Sequence, residues 1–453
     1  MSVHEAAAAL GARIRGGDVR FDSVSTDSRT LARGALFVAL RGERFDGRRF
    51  LADAQKRGAA AAMLEESPGA EVQTPGIPAL VVDDTRRALG RLAAHWRSRF
   101  DLPLVAVTGS NGKTTVKEMI AAILRSHYGA SHTLATAGNL NNDIGLPLTL
   151  LGLREDHRAA VVELGMNHPG ETAYLAGIAS PTVALVNNAQ REHQEFMQGV
   201  EEVAREHGAV ISALRPEGVA VINADDEFAG YWRGLVAGGR VRDFGLDKPA
   251  QVSGRYAFRE FGSEIEVRAP GGRIEVELHA DGRHSVMNAL AAVAAALAAG
   301  AAPDAVARGL GAFRPVKGRL RRLSGASGAN VIDDSYNANP DSVRAAIDVL
   351  AAAPGAKLLA LGDMGEVGER GAEFHEEAGR YAKQRGIDRL YAAGELSRAA
   401  ATAFGEGARH FDSVEALIAA VHGELRPGAT VLVKGSRFMR MERVVAALAE
   451  EGG

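Results

Sequence analysis

Cysteine is absent from the 453 residues, so disulfides, thiolate metal sites and a cysteine nucleophile are excluded. An excess of one charge is also lacking: 53 Lys and Arg stand against 56 Asp and Glu, a formal −3. With the two signs interspersed, nothing marks a nucleic-acid footprint or an anionic membrane surface. No apolar run approaches the roughly 20 residues needed to cross a bilayer, and the opening MSVHEAAAALGARIRGGD lacks the basic start and long apolar core of a signal peptide. These absences lead to the expectation of a cytoplasmic, monomeric protein with neither nucleic acid nor membrane as partner. Low complexity is approached only in the Ala-rich stretch 288–302, read as a tightly packed helix stopped by Gly300.

What is present is a chain too long for one hydrophobic core. Residues 1–99 alternate short strand-like and helix-like runs, which indicates a small α/β domain. From 102 onward, continuous apolar strands (102–107, 159–164, 182–186, 219–222) alternate with helical stretches near 113–127, 169–179 and 199–213. Such strands predict a doubly wound, mostly parallel sheet covered on both faces. The alternating stretch 251–278 predicts an antiparallel extension, followed by a helix at 285–299. Pro, Gly and charge in 313–319 mark a boundary. Beyond it, strands at 329–333, 357–361, 389–392 and 430–433 with helices near 340–352, 371–385, 413–423 and 438–450 predict a second, Rossmann-like unit. The fold class is therefore α/β in three domains: 1–99, a central P-loop domain at 100–313, and 314–453.

The stretch TGSNGKTT, 108–115, lies between a strand and a helix and reads as a phosphate loop two residues shorter than usual. Backbone N–H groups of Gly109, Ser110, Asn111, Gly112 and Thr115 would close around phosphate oxygens at a helix N-terminus. Lys113 would hold the β- and γ-phosphates, contacting nothing else, and the Thr114 hydroxyl is placed for Mg²⁺. Glu163 ends a buried strand on the same sheet edge, where either Mg²⁺ or an arginine would offset its charge. His193, at the end of the next strand, is a candidate metal ligand or phosphate contact, or a solvated loop residue. Residues 136–148 hold three Asn, two Gly and a Pro, either a turn-rich loop or a recognition surface for sugar, phosphate or amide. In the last domain, 331–340 offers Asp334 for ribose hydroxyls and Tyr336 for stacking, with Asn337 beside them, and 361–368 offers acids on a turn. The stretch 431–437 brings Lys434, Ser436 and Arg437 to a strand end, suited to a carboxylate or phosphate.

Taken together these strings resemble the Mur ligases, the ATP-dependent amide-bond-forming enzymes of peptidoglycan precursor synthesis; related folylpolyglutamate synthetases share the short loop. TDSRT (26–30), GALFVALRG (34–42) and FDG (45–47) resemble a uridine-nucleotide-binding domain. GNLNNDIGLPLTLL (138–151), DDSYNANPDS (333–342), LGDMGEVG (361–368) and VKGSRFMRME (433–442) resemble the ligase of that series that joins D-alanyl-D-alanine to a UDP-N-acetylmuramoyl-tripeptide. The D-N-P-R string expected of the preceding ligase is absent; addition of a single amino acid is the alternative. The resemblance implies ATP and Mg²⁺ as cofactors, an acyl-phosphate route, and Lys113 and His193 as catalytic groups. It further implies Mg²⁺ at Thr114 and Glu163, with His193 beside a second metal. Asn288 would read the adenine edge, and Arg319, Asp334 and Tyr336 would close over the nucleotide. Ser28, Arg29, Asn139 and Asn142 would face the uridylated substrate, with Asn337, Lys434 and Ser436 contacting substrate from the last domain. One departure stands out: several Mur ligases carry a carbamylated lysine that helps to hold the second Mg²⁺, and in VAREHG (203–208) that position is His207.

Overall fold

The computed structural model describes residues 1–42, 45–66, 76–260 and 262–450. Its three main sheets follow one another along the chain. The first has five strands in the order Arg13–Arg15, Ala79–Val82, Ala61–Glu65, Ala35–Val38, Ser23–Ser25, parallel except for its first member. Ala35–Val38 and Ala79–Val82 are buried throughout, as their uninterrupted apolar composition requires. Helix Thr85–Arg97 starts where the Asp84 carboxylate accepts from Arg86 and Arg87 N–H. Its stripe Ala88, Leu89, Leu92, Ala93 packs onto helices Gly145–Leu151 and Glu171–Ala179, so the first and central sheets share one core. Trp96 Nε1 donates to Leu153 O at 3.0 Å, and the buried Arg97 guanidinium donates to Ala179 O across the same seam and to Phe100 O just after its own helix.

The central sheet has nine strands, and Leu104–Thr108 lies between Val183–Val186 and Ala159–Glu163, all parallel. The chain leaves Leu104–Thr108 in one direction to Ala159–Glu163 and Thr133–Ala135, and later in the other to Val183–Val186, Val219–Asn223 and Arg240–Gly245. The loop after Leu104–Thr108 therefore occupies a switch point, where an open parallel sheet leaves a crevice. The alternating stretch forms the antiparallel strands Val252–Arg259, Gly262–Ala269 and Gly272–Leu278, with Ile274, Val276 and Leu278 turned inward; Phe261 between the first two lies outside the described residues. The Ala-rich helix runs Arg283–Ala298, and Gly300 follows its end at φ 91°. Two strands, Thr133–Ala135 and Arg240–Gly245, and the helices Gly145–Leu151 and Pro303–Ala312 are additions to the expected elements. They are short or polar, and packing rather than periodicity selects them.

The third sheet has the order Arg321–Ser324, Asn330–Asp334, Thr430–Lys434, Lys357–Gly362, Arg389–Ala393, Ala408–Phe411, parallel except for its first strand. Helix Pro340–Ala352 matches its expected span, Asn339 capping its first turn and Pro340 opening it. Helix Ser397–Phe404 and strand Ala408–Phe411 are additions to the expected elements: both are short, each carries an arginine, and Gly405 and Gly407 lie between them. Among the described residues no helix is long and apolar enough to cross a membrane.

Candidate active site

The crevice at the switch point encloses about 1080 Å³ and is walled by all three sheets' loops. Its floor is the short phosphate loop. Gly109 and Gly112 take φ of 135° and 83°, and a Cβ on Gly112 would stand 2.5 Å from Asn288 Oδ1, so only glycine fits there. Ser110 and Asn111 N–H groups are held by Asn188 O and Oδ1 at 3.0 and 2.8 Å, which fixes the turn from the neighbouring strand's end. Helix Lys113–Tyr128 then begins with no side-chain cap. Its first-turn N–H groups are thereby left for an anion, with the helix dipole behind them.

Glu163 is 2 % exposed at the end of its strand. Its Oε1 accepts from Asn141 Nδ2 at 2.8 Å, whereas Oε2 is buried without a hydrogen-bond partner. A carboxylate oxygen kept bare in this way fits a cation rather than an arginine. Thr136 Oγ1 accepts from the Glu163 N–H at 3.0 Å, and the wholly buried Lys117 donates to Thr136 O at 2.8 Å. The phosphate helix thus positions the carboxylate through one lysine. Thr114 is buried at the same crevice, and the pair suits Mg²⁺, which takes few protein carboxylates and completes its shell with phosphate and water. Among the described residues no group of three or more His, Cys, Asp or Glu is gathered to hold a metal ion.

Lys113 does not stand alone, contrary to expectation. Its Nζ donates to Gly109 O at 2.6 Å and Ser110 O at 3.2 Å and pairs with Glu192 Oε2 at 3.3 Å. Burial pushes Glu192 up, but Lys113 and a hydrogen bond from His207 overcome it and hold the carboxyl at about 2. His207, fully buried, lies between Glu192 Oε1 (2.7 Å) and Thr108 Oγ1 (2.9 Å). An ionised carboxylate only accepts, so Nε2 carries the proton and Nδ1 accepts from the Thr108 hydroxyl. Burial lowers the His207 pKa despite Glu192, in keeping with this neutral tautomer.

His193 lines the crevice in a left-handed conformation, φ 49°. Its Nε2 is 3.6 Å from Glu192 Oε2, and its Nδ1 is 2.5 Å from Glu366 Oε2, a close contact without hydrogen-bond alignment. Glu366 belongs to the LGDMGEVG turn, so this contact joins the central and third sheets' loops. Arg191 ties them more firmly: its guanidinium meets Asp341 at 2.6 Å and Glu377 at 2.7 Å, while Asn111 and Asn339 exchange side-chain hydrogen bonds.

Across the crevice, Arg319 stacks its guanidinium 4.3 Å from the Tyr336 ring centroid. Lys434 reaches Asp334 Oδ2 and donates to Asn337 O at 2.9 Å. Burial raises the Asp334 pKa against the pull of Lys434. Asn139 and Asn142 line the wall, and Asn142 Oδ1 also caps helix Gly145–Leu151. Four expected residues sit apart from the lining, the first being Gly109, whose carbonyl accepts from Lys113. Ser436 gives its hydroxyl to Ala338 O and accepts from Gly365 N–H, which ties two loops together. Ser28 is buried, and Arg29 is turned to solvent and paired with Asp27 at 2.8 Å. From the first domain it is Asp84, Arg86 and Arg87 that reach the crevice. Together with Arg191 and Glu192, these have no motif spacing to single them out; Glu192 has one signal, its place beside His193.

Comparison with known proteins follows the same division. The Mur ligase family, catalytic domain, matches residues 20–97; the Mur ligase middle domain matches 107–296; the Mur ligase, glutamate ligase domain, matches 318–437. A UDP-N-acetylmuramoyl-tripeptide--D-alanyl-D-alanine ligase of Escherichia coli (strain K12) is 42% identical, covering 98% of this chain and 97% of that one. The crystal structure of MurF from Acinetobacter baumannii superposes with a TM-score of 0.88 at 34% identity, over 98% of this chain and 97% of that one. MurF ligase from Thermotoga maritima in complex with ADP gives 0.81 at 27% identity, over 94% and 96%. With matches of this extent on a crevice of this construction, the chain belongs to the Mur ligase family.

Proposed function

We propose that this chain joins D-alanyl-D-alanine to a UDP-N-acetylmuramoyl-tripeptide, with ATP cleaved to ADP and phosphate, in cytoplasmic peptidoglycan precursor synthesis. The observation that carries the reading is the uncapped phosphate helix opposite the bare Oε2 of Glu163, in one crevice with the Lys434 and Arg319 loops. Residues 1–99 take the uridylated end of the substrate, 100–313 the ATP and 314–453 the incoming dipeptide. One chain builds the whole crevice, so a monomer suffices.

A carboxylate is a poor acyl donor, and the tripeptide's terminal carboxylate attacks the γ-phosphorus of ATP, releasing ADP and leaving an acyl phosphate. The dipeptide amine then attacks the acyl carbon through a tetrahedral intermediate, and phosphate departs. The N–H groups of the uncapped first turn, from Lys113 on, bind the phosphates, the Ser110 and Asn111 N–H groups being already given to Asn188, and Lys113 offsets charge gathering on the transferring group. Thr114 and Glu163 would hold Mg²⁺, with His193 beside a second position; the metal supplies positive charge to the phosphoryl oxygens. Asn288, lodged against Gly112, belongs to the nucleotide side, and Arg319 on Tyr336 offers a flat cationic surface over it. Lys434, steadied by Asp334 and Asn337 O, meets substrate anion. Arg191 holds the last domain across the crevice, which keeps water from the acyl phosphate.

ADP release measured with each substrate omitted in turn tests the reading. Turnover should need ATP, the UDP-tripeptide and the dipeptide together. Release undiminished without the dipeptide would point instead to an ATP-driven switch, and acceptance of one amino acid in its place to another ligase of the family.

A further inference from the structure

Glu192 has no part in the chemistry above, although it is 6 % exposed and stands beside Lys113. The contacts Thr108–His207–Glu192–Lys113 form a closed circuit that begins and ends on the phosphate loop. His207 spends both ring nitrogens in it, one on Thr108 and one on Glu192 Oε1, so the imidazole is a fixed prop with no proton to give elsewhere. Oε2 is left pointing at two cationic or ligating groups, Lys113 Nζ at 3.3 Å and His193 Nε2 at 3.6 Å.

Lys113 meanwhile is folded back on its own loop, on Gly109 O and Ser110 O. To reach a phosphate it has to leave these carbonyls and Glu192. A buried carboxylate whose cation departs needs another, because an uncompensated charge in that setting is strongly unfavourable. The helix position from which a carbamylated lysine would have supplied a carboxylate is held by His207, and His207 grips a carboxylate that comes from the opposite loop.

We propose that Glu192 is this chain's built-in replacement for that added carboxylate, its Oε2 alternating between Lys113 and the second divalent cation that accompanies nucleotide. His193 shares that cation, and His207 is a positioning residue that acts through Glu192. The site then needs no bicarbonate. The inference rests on the ligase reading, since only bound nucleotide draws Lys113 away.

Mn²⁺ binding, followed by electron paramagnetic resonance in the complex with a nonhydrolysable ATP analogue, tests it. Glu192→Gln keeps the shape and should weaken the tightest-lost Mn²⁺ class about ten- to a hundredfold. His207→Ala should do the same, whereas His207→Gln, which still donates to Glu192, should stay within a few-fold of the parent; a merely structural histidine would not show that rescue. Carbon-13 bicarbonate should give no carbamate resonance in the parent protein. Mn²⁺ affinity unchanged in Glu192→Gln, or a carbamate signal in the parent, overturns the proposal. Failure of the parent to bind the analogue would instead overturn the ligase reading.

Discussion

Arg191→Ala should open the molecule. The guanidinium lies 2.6 Å from Asp341 and 2.7 Å from Glu377, with side-chain exposures of 24%, 23% and 33% for the three groups. Partial exposure limits each forked pair to about 1–2 kcal/mol, so the latch is worth about 2–4 kcal/mol. At tenfold per 1.4 kcal/mol, the ratio of latched to unlatched molecules falls about 30- to 700-fold. Small-angle scattering should report a larger radius of gyration, and kcat should fall because the acyl phosphate is exposed to water for longer. Arg191→Lys keeps the charge but not the fork and should land between the two. A scattering curve and kcat indistinguishable from the parent would refute the assignment of closure to this residue.

Two further expectations concern charge at the crevice. Lys113→Ala should cut turnover ~100-fold or more, as loss of a transition-state donor does, and should also lower stability by about 2–4 kcal/mol because Glu192 loses its cation. Adding Glu192→Gln should restore the denaturation midpoint but not the rate, and a single variant as stable as the parent would contradict the pairing. His284 lines the crevice with its Nε2 buried and unpartnered; burial, with Lys434 adding to it, lowers the pKa to about 4. The unfolded chain therefore takes up a proton below about 6.5 that the folded chain refuses until about 4. Stability should be full above that window and fall by about 1–3 kcal/mol as pH drops through it, the ring's partial exposure limiting the amount. Denaturant midpoints at pH 7 and 4.5 measure this, and His284→Asn should flatten the slope.

The strands and the phosphate loop were legible because apolar runs and a Gly-rich turn are local signals. Glu163 is legible as a strand-end acid, whereas the absence of a hydrogen-bond partner on its buried Oε2 is visible only in the fold. The circuit through Glu192 and His207 was not readable, since it closes over 99 residues from Thr108 to His207 with no fixed spacing. The same holds for Arg191 and Asp341, 150 residues apart. Motif likeness brought Ser28, Arg29 and Ser436 to the substrate side, whereas in the fold Ser436 binds loop backbone and Arg29 faces solvent beside Asp27. The first domain's reach into the crevice comes through Asp84, Arg86 and Arg87, where a helix start rather than a motif sets position. A polar Asn-rich loop concealed the helix Gly145–Leu151, whose buried Leu146 and Leu150 join the shared core.

In the proposed reaction this crevice activates a carboxylate by phosphorylating it. The most direct measurement uses UDP-tripeptide carrying oxygen-18 in the terminal carboxylate, with ATP and D-alanyl-D-alanine, and reads the mass of the released phosphate. One labelled oxygen per phosphate is the predicted result, because the carboxylate oxygen that attacks the γ-phosphorus leaves with it. Unlabelled phosphate released alongside the ligated product would contradict activation through an acyl phosphate.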